Sequence, residues 1–137
     1  MKIIQKIKEL NLPLNQYIIV GSGPMAVREL KEFNDIDIVV NNSLFNECKK
    51  DRKWKQVLWT YPDHLGQFYL ESELFELYLD VNCGNFNPTF EELMSRSDLI
   101  EGIHFASLKD ILQFKKAYNR PKHKKDIKII EKYLENK

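Results

Sequence analysis

The sequence predicts an α/β protein in which helices pack on a small mixed β-sheet. Its periodic segments follow the order α β α β α β β β α α α, which lacks the regular βαβ repeat of a parallel sheet. The 137 residues are 43% apolar and 30% charged, and a chain of this length and composition supports one hydrophobic core. We therefore expect a single domain over residues 1–137.

The first elements are predicted from a helical repeat and a glycine turn. Isoleucine recurs at helical spacing over 2–10, which predicts a helix. The apolar run QYIIV at 16–20 predicts a buried strand. The turn GSGP at 21–24 follows, and because proline suits the first position of a helix, we expect MAVRELKEF to be helical as far as Phe33.

The middle of the chain is predicted to be mainly strands. DIDIVV at 35–40 predicts a second strand, and Ser43 is a suitable cap for a helix that runs to about Lys50. WKQVLW at 54–59 predicts a third strand. The aromatic and apolar run at 67–81 predicts a hairpin.

The last third is predicted to be helical. A hydroxyl residue followed three positions later by an acid occurs at Thr89 and at Ser107, which predicts that a helix begins directly after each. We expect a short irregular or extended piece between these two helices. Pro121 should divide the C-terminal helical segment 107–136 into two helices, of which the last ends near Glu135.

Charge is distributed unevenly along the chain. Residues 1–108 carry 11 basic and 16 acidic side chains, whereas residues 109–137 carry 10 basic and 4 acidic ones. A positive helical tail beside an acidic body suits a polyanion such as a nucleoside triphosphate or RNA, and its structural alternative is a solvated lysine face.

Location is predicted from what the sequence lacks. No apolar stretch approaches the roughly 18 to 20 residues that span a bilayer, and charges interrupt the opening segment MKIIQKIKEL. Cys48 and Cys83 show no CxxC or Cys/His spacing, which fits a reducing compartment. We expect a cytoplasmic protein with no membrane partner and no cysteine-bound metal.

Residues 18–40, IIVGSGPMAVRELKEFNDIDIVV, combine two features of phosphate chemistry. Asp35 and Asp37 share one face of a strand about 6 to 7 Å apart, so their carboxylates can hold Mg²⁺. The absence of side chains at Gly21 and Gly23 lets a phosphate approach backbone N–H groups at a helix N-terminus. Phosphate beside a bound metal indicates phosphoryl or nucleotidyl transfer.

These motifs resemble those of the nucleotidyltransferase-fold superfamily, which includes DNA polymerase beta and many small bacterial transferases. The family signature is an apolar strand, Gly-Ser or Gly-Gly, a helix, and then acid-x-acid in an apolar strand. This chain matches the signature at Gly21, Ser22, Asp35 and Asp37. The resemblance assigns the third metal-binding acid to Asp80 in LYLDV, with Glu76 as the weaker candidate. SLKDILQFKKAYNRPKHKKDIKIIEKYL also resembles the helical tail of bacterial members related to abortive-infection systems.

The resemblance implies a Mg²⁺-dependent enzyme that transfers a nucleoside monophosphate from a triphosphate to an acceptor. Asp35 and Asp37 would hold two metal ions, Asp80 would complete the second site, and Gly21 and Ser22 would hold the β- and γ-phosphates. The acceptor stays open between protein, RNA and small molecule, and a partner between a cognate protein and a second copy of the chain. Two alternatives are an antitoxin-like or regulatory partner protein of the same fold and a nucleotide-binding module without turnover.

Lys115 is selected by helical spacing as well as by the resemblance. Ile111 and Leu112 predict an apolar stripe, and position 115 falls on it. Its ammonium either reaches outward from a buried stem or points into the cleft toward triphosphate. Arg120 and Lys116 are the secondary candidates for nucleotide contact.

Overall fold

The computed structural model describes residues 2–137, which form six α-helices and seven β-strands. The helices are α1 (Lys2–Glu9), α2 (Gly23–Ala26), α3 (Asn42–Lys49), α4 (Phe90–Ser95), α5 (Leu108–Tyr118) and α6 (Lys124–Glu135). The strands are β1 (Tyr17–Val20), β2 (Ile36–Val40), β3 (Lys55–Leu58), β4 (Phe68–Ser72), β5 (Phe75–Tyr78), β6 (Asp98–Ile100) and β7 (Ile103–Phe105). One mixed sheet contains all seven strands, so the predicted α/β class is confirmed.

The centre of the sheet brings β1, β2 and β5 side by side. The strand order is β3-β4-β5-β2-β1-β7-β6, with β2 antiparallel to β1 and parallel to β5. In this register Asp37 lies directly opposite Glu76. Because neighbouring strands are only about 4.8 Å apart, two acidic side chains of residues paired in this way must interact.

Both faces of the sheet are covered by apolar residues, since side chains alternate along each strand. Ile19 of β1 faces a cluster built with α1 and α3, whereas Ile18 and Val20 face a cluster built with α5 and α6. Along β2, Ile36 and Ile38 join the first cluster. Asp37 lies between these two residues on β2, so the alternation turns its side chain toward the face covered by the C-terminal helices.

The helix predicted from the glycine turn to Phe33 is wrong in its length. α2 has a single turn and ends at Ala26, after which the chain continues in hydrogen-bonded turns. Glu29 has a φ of +61°, a left-handed conformation that a right-handed helix does not contain. The turns return the chain to the sheet, where β2 begins beside β1.

Helix caps test three of the predicted helix starts. The hydroxyls of Thr89 and Ser107 accept the N–H three residues later at 3.0 and 3.1 Å, as predicted. The cap of α3 differs from the prediction. Asn41 Oδ1 accepts the N–H of Leu44 at 2.9 Å, so Asn41 takes the position predicted for Ser43.

A hairpin fills the interval between α4 and α5, where the sequence predicted only an irregular or extended piece. β6 and β7 have three residues each and are joined at Glu101 and Gly102, both with positive φ. β7 pairs in parallel with β1 through Phe105 and Ile19. This pairing extends the sheet and leads the chain directly into α5.

The C-terminal helices are separated by the break predicted near Pro121. α5 ends at Tyr118, Asn119 adopts a left-handed φ of +51°, and a 3₁₀ turn at Pro121–His123 leads into α6. Ile130 of α6 is fully buried against the sheet cluster. The bend between the helices therefore faces the same side of the sheet as Asp37.

Two findings concern the cellular location that the apolar runs and the cysteines predicted. Among residues 2–137, no helix combines the length and the apolarity needed to cross a membrane. Cys48 and Cys83 are both buried free thiols.

Candidate active site

A cleft of about 450 Å³ opens between the sheet and the α5–α6 bend. Seven residues were predicted to form a nucleotide and metal site. Six of them line this cleft, namely Gly21, Ser22, Asp35, Asp37, Lys115 and Arg120. Residues separated by up to 99 positions in the chain are thus brought to one surface, although their predicted roles stay predictions.

Two carboxylates form the floor of the cleft. Asp37 and Glu76 are opposite each other on β2 and β5, and their carboxyl groups are close enough for each to raise the cost of ionising the other. Tyr78 donates its hydroxyl hydrogen to Glu76 Oε1 at 2.7 Å. Asp35 lies just before β2 and is exposed at the same cleft.

The environment of Asp37 strongly favours its protonated form. Burial raises the pKa of Asp37 to about 8, with further increases from the neighbouring Glu76 and from the charge of Asp35. Lys115 opposes these effects. A carboxyl group that is paired with another acid at neutral pH can therefore bind a cation only by releasing its proton.

One oxygen of this carboxyl group lacks a partner. Asp37 Oδ1 is buried and makes no hydrogen bond, although buried polar atoms are normally paired. Carboxylate oxygens are the ligands that Mg²⁺ prefers. Asp37, Glu76 and Asp35 would together supply three carboxylate groups. The residues thus fit a divalent cation, but within residues 2–137 no three acidic, histidine or cysteine side chains are close enough to enclose one without rearrangement.

Gly21 is required next to this carboxyl group for two reasons. Its φ is +64°, which strains any other residue, and a Cβ added to it would lie 2.5 Å from Asp37 Oδ2. Ser22 follows at the start of α2, and its side chain makes no capping hydrogen bond. The helix whose N-terminus was predicted to bind phosphate has a single turn, Gly23–Ala26.

Asp80, the residue predicted to be the third metal-binding carboxylate, is not brought together with Asp37 and Glu76. β5 ends at Tyr78, so Asp80 lies beyond the strand and does not line the cleft. Its Oδ1 accepts the N–H of Asn82 at 3.0 Å and lies 3.8 Å from Nδ1 of His64. The weaker candidate, Glu76, occupies the place predicted for Asp80.

Lys115 lies in the cleft wall, but its ammonium group is already paired. Its Nζ donates to Asp126 Oδ2 at 3.0 Å, and Lys31 Nζ donates to the same oxygen at 2.7 Å. Burial lowers the pKa of Lys115, and its bond to Asp126 opposes that decrease. Lys116 points elsewhere and pairs with Glu131 at 3.3 Å.

Asp126, which is buried on α6, was not among the predicted site residues. The available signal was its position four residues before Ile130, because an acid on the apolar stripe of a helix requires a cation. The structure supplies two cations at that position. Asp126 therefore positions both lysines at the mouth of the cleft.

Aromatic rings form a further wall of the cleft. Tyr61 and Tyr118 line the cleft with ring centroids 4.9 Å apart, and the guanidinium of Arg120 lies 5.3 and 5.9 Å from them. Trp59 also lines the cleft, whereas Trp54 is buried in the core. Both tryptophans flank the same predicted strand, so the local sequence does not separate them.

His123 completes the basic side of the cleft as an uncharged group. Burial and the nearby charges of Lys115, Lys122 and Arg120 lower its pKa to about 4. Its Nδ1 is buried without a hydrogen-bond partner. The cleft therefore offers one unpartnered oxygen on its acidic side and one unpartnered nitrogen on its basic side.

Comparisons with known proteins do not place the chain in a family. No protein-family model matches it, and no curated protein matches its sequence.

Proposed function

We propose that the protein binds a magnesium–nucleoside triphosphate in this cleft and transfers the nucleoside monophosphate to an acceptor. The observation that carries the proposal is the unpartnered buried oxygen of Asp37, which adjoins Glu76 and Gly21 and lies in a cleft with a basic far wall. An acidic floor suits the metal, and the basic wall suits the phosphates.

In this proposal, the residues divide the reaction between them. Asp37, Glu76 and Asp35 would hold magnesium, which supplies charge neutralisation and activation of the acceptor oxygen. Gly21 and Ser22 line the cleft, and their backbone N–H groups and the Ser22 hydroxyl would hold the triphosphate oxygens. The attacking acceptor oxygen forms a bond to the α-phosphorus, the bond to the β-phosphate oxygen breaks, and the acceptor proton passes to a carboxylate.

The leaving pyrophosphate accumulates negative charge as that bond breaks. Arg120 and Lys122 are exposed at the cleft and are free to approach it. Lys115 and Lys31 add positive potential from their positions on Asp126. Fixed positive groups at the site of developing charge lower the barrier to transfer.

Calorimetric titration tests the binding step. Magnesium with ATP, and with the other three triphosphates, is titrated into the parent protein, Asp37→Asn and a matched control, Asp51→Asn, an exposed acid outside the cleft. We expect the parent and control to bind alike and Asp37→Asn to bind at least about tenfold more weakly. Equal affinities of Asp37→Asn and the parent would show that the site is not at Asp37.

A nucleotide-binding module without turnover is the second candidate. The acid pair favours this second candidate. The carboxyl groups of Asp37 and Glu76 interact with each other instead of being arranged around a cation site. Release of pyrophosphate from bound triphosphate separates the two candidates. Tight binding with no pyrophosphate release in the presence of acceptors would establish the second.

A further inference from the structure

A continuous basic surface leads from the cleft along α6. We use the name basic surface for six exposed residues, Arg120, Lys122, Lys124, Lys125, Lys128 and Lys132. Arg120 and Lys122 line the cleft itself. The row Lys124, Lys128 and Lys132 continues along the exposed side of α6 over about 12 Å, one helical turn apart at each step.

The charge of this surface is not neutralised by the protein. Three of the four acids of the C-terminal helices are held elsewhere, since Asp110 pairs with Arg96, Glu131 with Lys116, and Asp126 with two lysines in the cleft wall. The fourth, Glu135, is exposed at the last position of α6 and forms no salt bridge with the part of the chain that the structure describes. Across residues 2–137, no salt bridge includes a member of the basic surface. An external anion is therefore free to bind there.

The placement of these lysines is unfavourable for the helix. Lys124 and Lys125 lie in the first turn of α6, where the helix dipole disfavours cations. Lys124, Lys128 and Lys132 repeat like charges four residues apart, which also destabilises a helix. The packing of α6 depends on its other face, centred on Ile130, so folding gives no reason for this arrangement. A polyanionic ligand gives one.

Aromatic rings at the cleft end of the basic surface indicate which polyanion. The rings of Tyr61 and Tyr118 lie beside Arg120 and line the cleft with Trp59. Alternation of cations with aromatic rings is typical of proteins that bind single-stranded nucleic acid, because cations contact the backbone and rings stack on the bases. An acidic polypeptide would use the lysines but would have no bases to stack on the rings.

We propose that the acceptor is the 3′ end of a single-stranded nucleic acid. Its phosphates lie on the basic surface, and its last base stacks on the aromatic wall near Tyr61 and Tyr118. The inference rests on the proposed function for the chemical step. The terminal ribose or deoxyribose hydroxyl forms a bond to the α-phosphorus of the triphosphate, pyrophosphate leaves, and the hydroxyl proton passes to a carboxylate of the floor.

Binding is tested first, because it does not depend on catalysis. Fluorescence anisotropy is measured with a 12-nucleotide single strand of mixed sequence, as RNA and as DNA, at several salt concentrations. The variant Lys124→Gln/Lys125→Gln/Lys128→Gln removes three charges of the basic surface. Its matched control, Lys50→Gln/Lys53→Gln/Lys55→Gln, removes three exposed charges from the other dense basic segment, 49–55.

The expected result is position-specific. The parent should bind more weakly as salt rises, and the first variant should lose about tenfold or more in affinity with a salt slope lower by about two. The control should bind like the parent, and circular dichroism should show that all three are folded. Equal losses in both variants, or no binding by the parent, would overturn the proposal. So would equally effective competition by polyglutamate, which would identify an acidic polypeptide as the ligand.

Transfer is tested second, with α-labelled triphosphate and the same oligonucleotides. We expect label at the 3′ end with the parent and none with Asp37→Asn, which should still bind the strand. RNA and DNA arms show which sugar is accepted. Strand binding without label at the 3′ end would refute the assignment of the strand as the acceptor, and the absence of pyrophosphate release with any acceptor would refute the proposed function as well. Transfer to another acceptor without strand binding would refute the present inference alone.

Discussion

Replacing Asp37 by asparagine should make the metal-free protein more stable at alkaline pH and leave its stability unchanged in acid. The pKa of Asp37 rises from 3.8 to about 8 on folding, chiefly because of burial, so folding favours its protonated form. Below about pH 4 the group is protonated in both states and exerts no penalty. As pH rises from 4 through 8, the unfolded state ionises first and the free energy of unfolding falls.

The size of the effect follows from the pKa difference. A rise from 3.8 to about 8 corresponds to at most about 6 kcal/mol, because each pH unit between the two values is worth about 1.4 kcal/mol. Asp37 is half-buried and its carboxyl group interacts with Glu76, so part of this penalty is relieved by solvent and by redistribution of charge. We expect Asp37→Asn to be about 2 to 3 kcal/mol more stable than the parent at pH 8.5.

Urea unfolding, followed by circular dichroism in the presence of EDTA, measures the difference at pH 4.5 and pH 8.5. Comparing variant with parent cancels the titration of other groups, and Asp51→Asn controls for loss of a surface charge. Magnesium should then raise the stability of the parent at pH 8.5 and leave Asp37→Asn unchanged. A stability difference that does not vary with pH, or a variant less stable than the parent at pH 8.5, would refute the assignment of Asp37 to a pair of interacting acids.

Three further substitutions address the cleft. Gly21→Ala should destabilise the protein by about 1 to 3 kcal/mol in urea unfolding, while Gly84→Ala, which also has positive φ but open space around it, should cost less. Asp126→Asn leaves two lysines without their carboxylate and should lower stability by about 2 to 4 kcal/mol, visible as a lower melting temperature. Glu76→Gln should weaken Mg-ATP binding about tenfold in calorimetry, whereas Asp80→Asn should change it less than twofold. A larger loss of affinity in Asp80→Asn than in Glu76→Gln would return Asp80 to the site.

The parts of the fold that the sequence predicted are those set by local chemistry. Hydroxyl caps at Thr89 and Ser107 bond to an N–H three residues later, so the sequence nearby contains the whole interaction. The glycine turn and the alternating strand that contains Asp37 are equally local. The confirmed elements are therefore those that their own local sequence favours without any tertiary contact.

The errors arise where distant segments decide the outcome. The third carboxylate depends on which residue of β5 pairs with Asp37, and register is set by pairing between strands about 40 residues apart. Glu76 and Asp80 have the same parity along the chain, so alternation alone could not separate them. The turns after Ala26 follow from the return of the chain to β2, which overrides a helical pattern.

Asp126 joins three segments through one oxygen atom, and this has a consequence for the order in which the protein assembles. Its partners are Lys115, 11 residues before it, and Lys31, 95 residues before it. The nearer contact closes as soon as the two C-terminal helices meet. The farther one closes a long loop, whose entropic cost must be met after the sheet has formed. The cleft is thus completed late in folding, and a transient opening of α6 would disorganise it while the central strands stay paired.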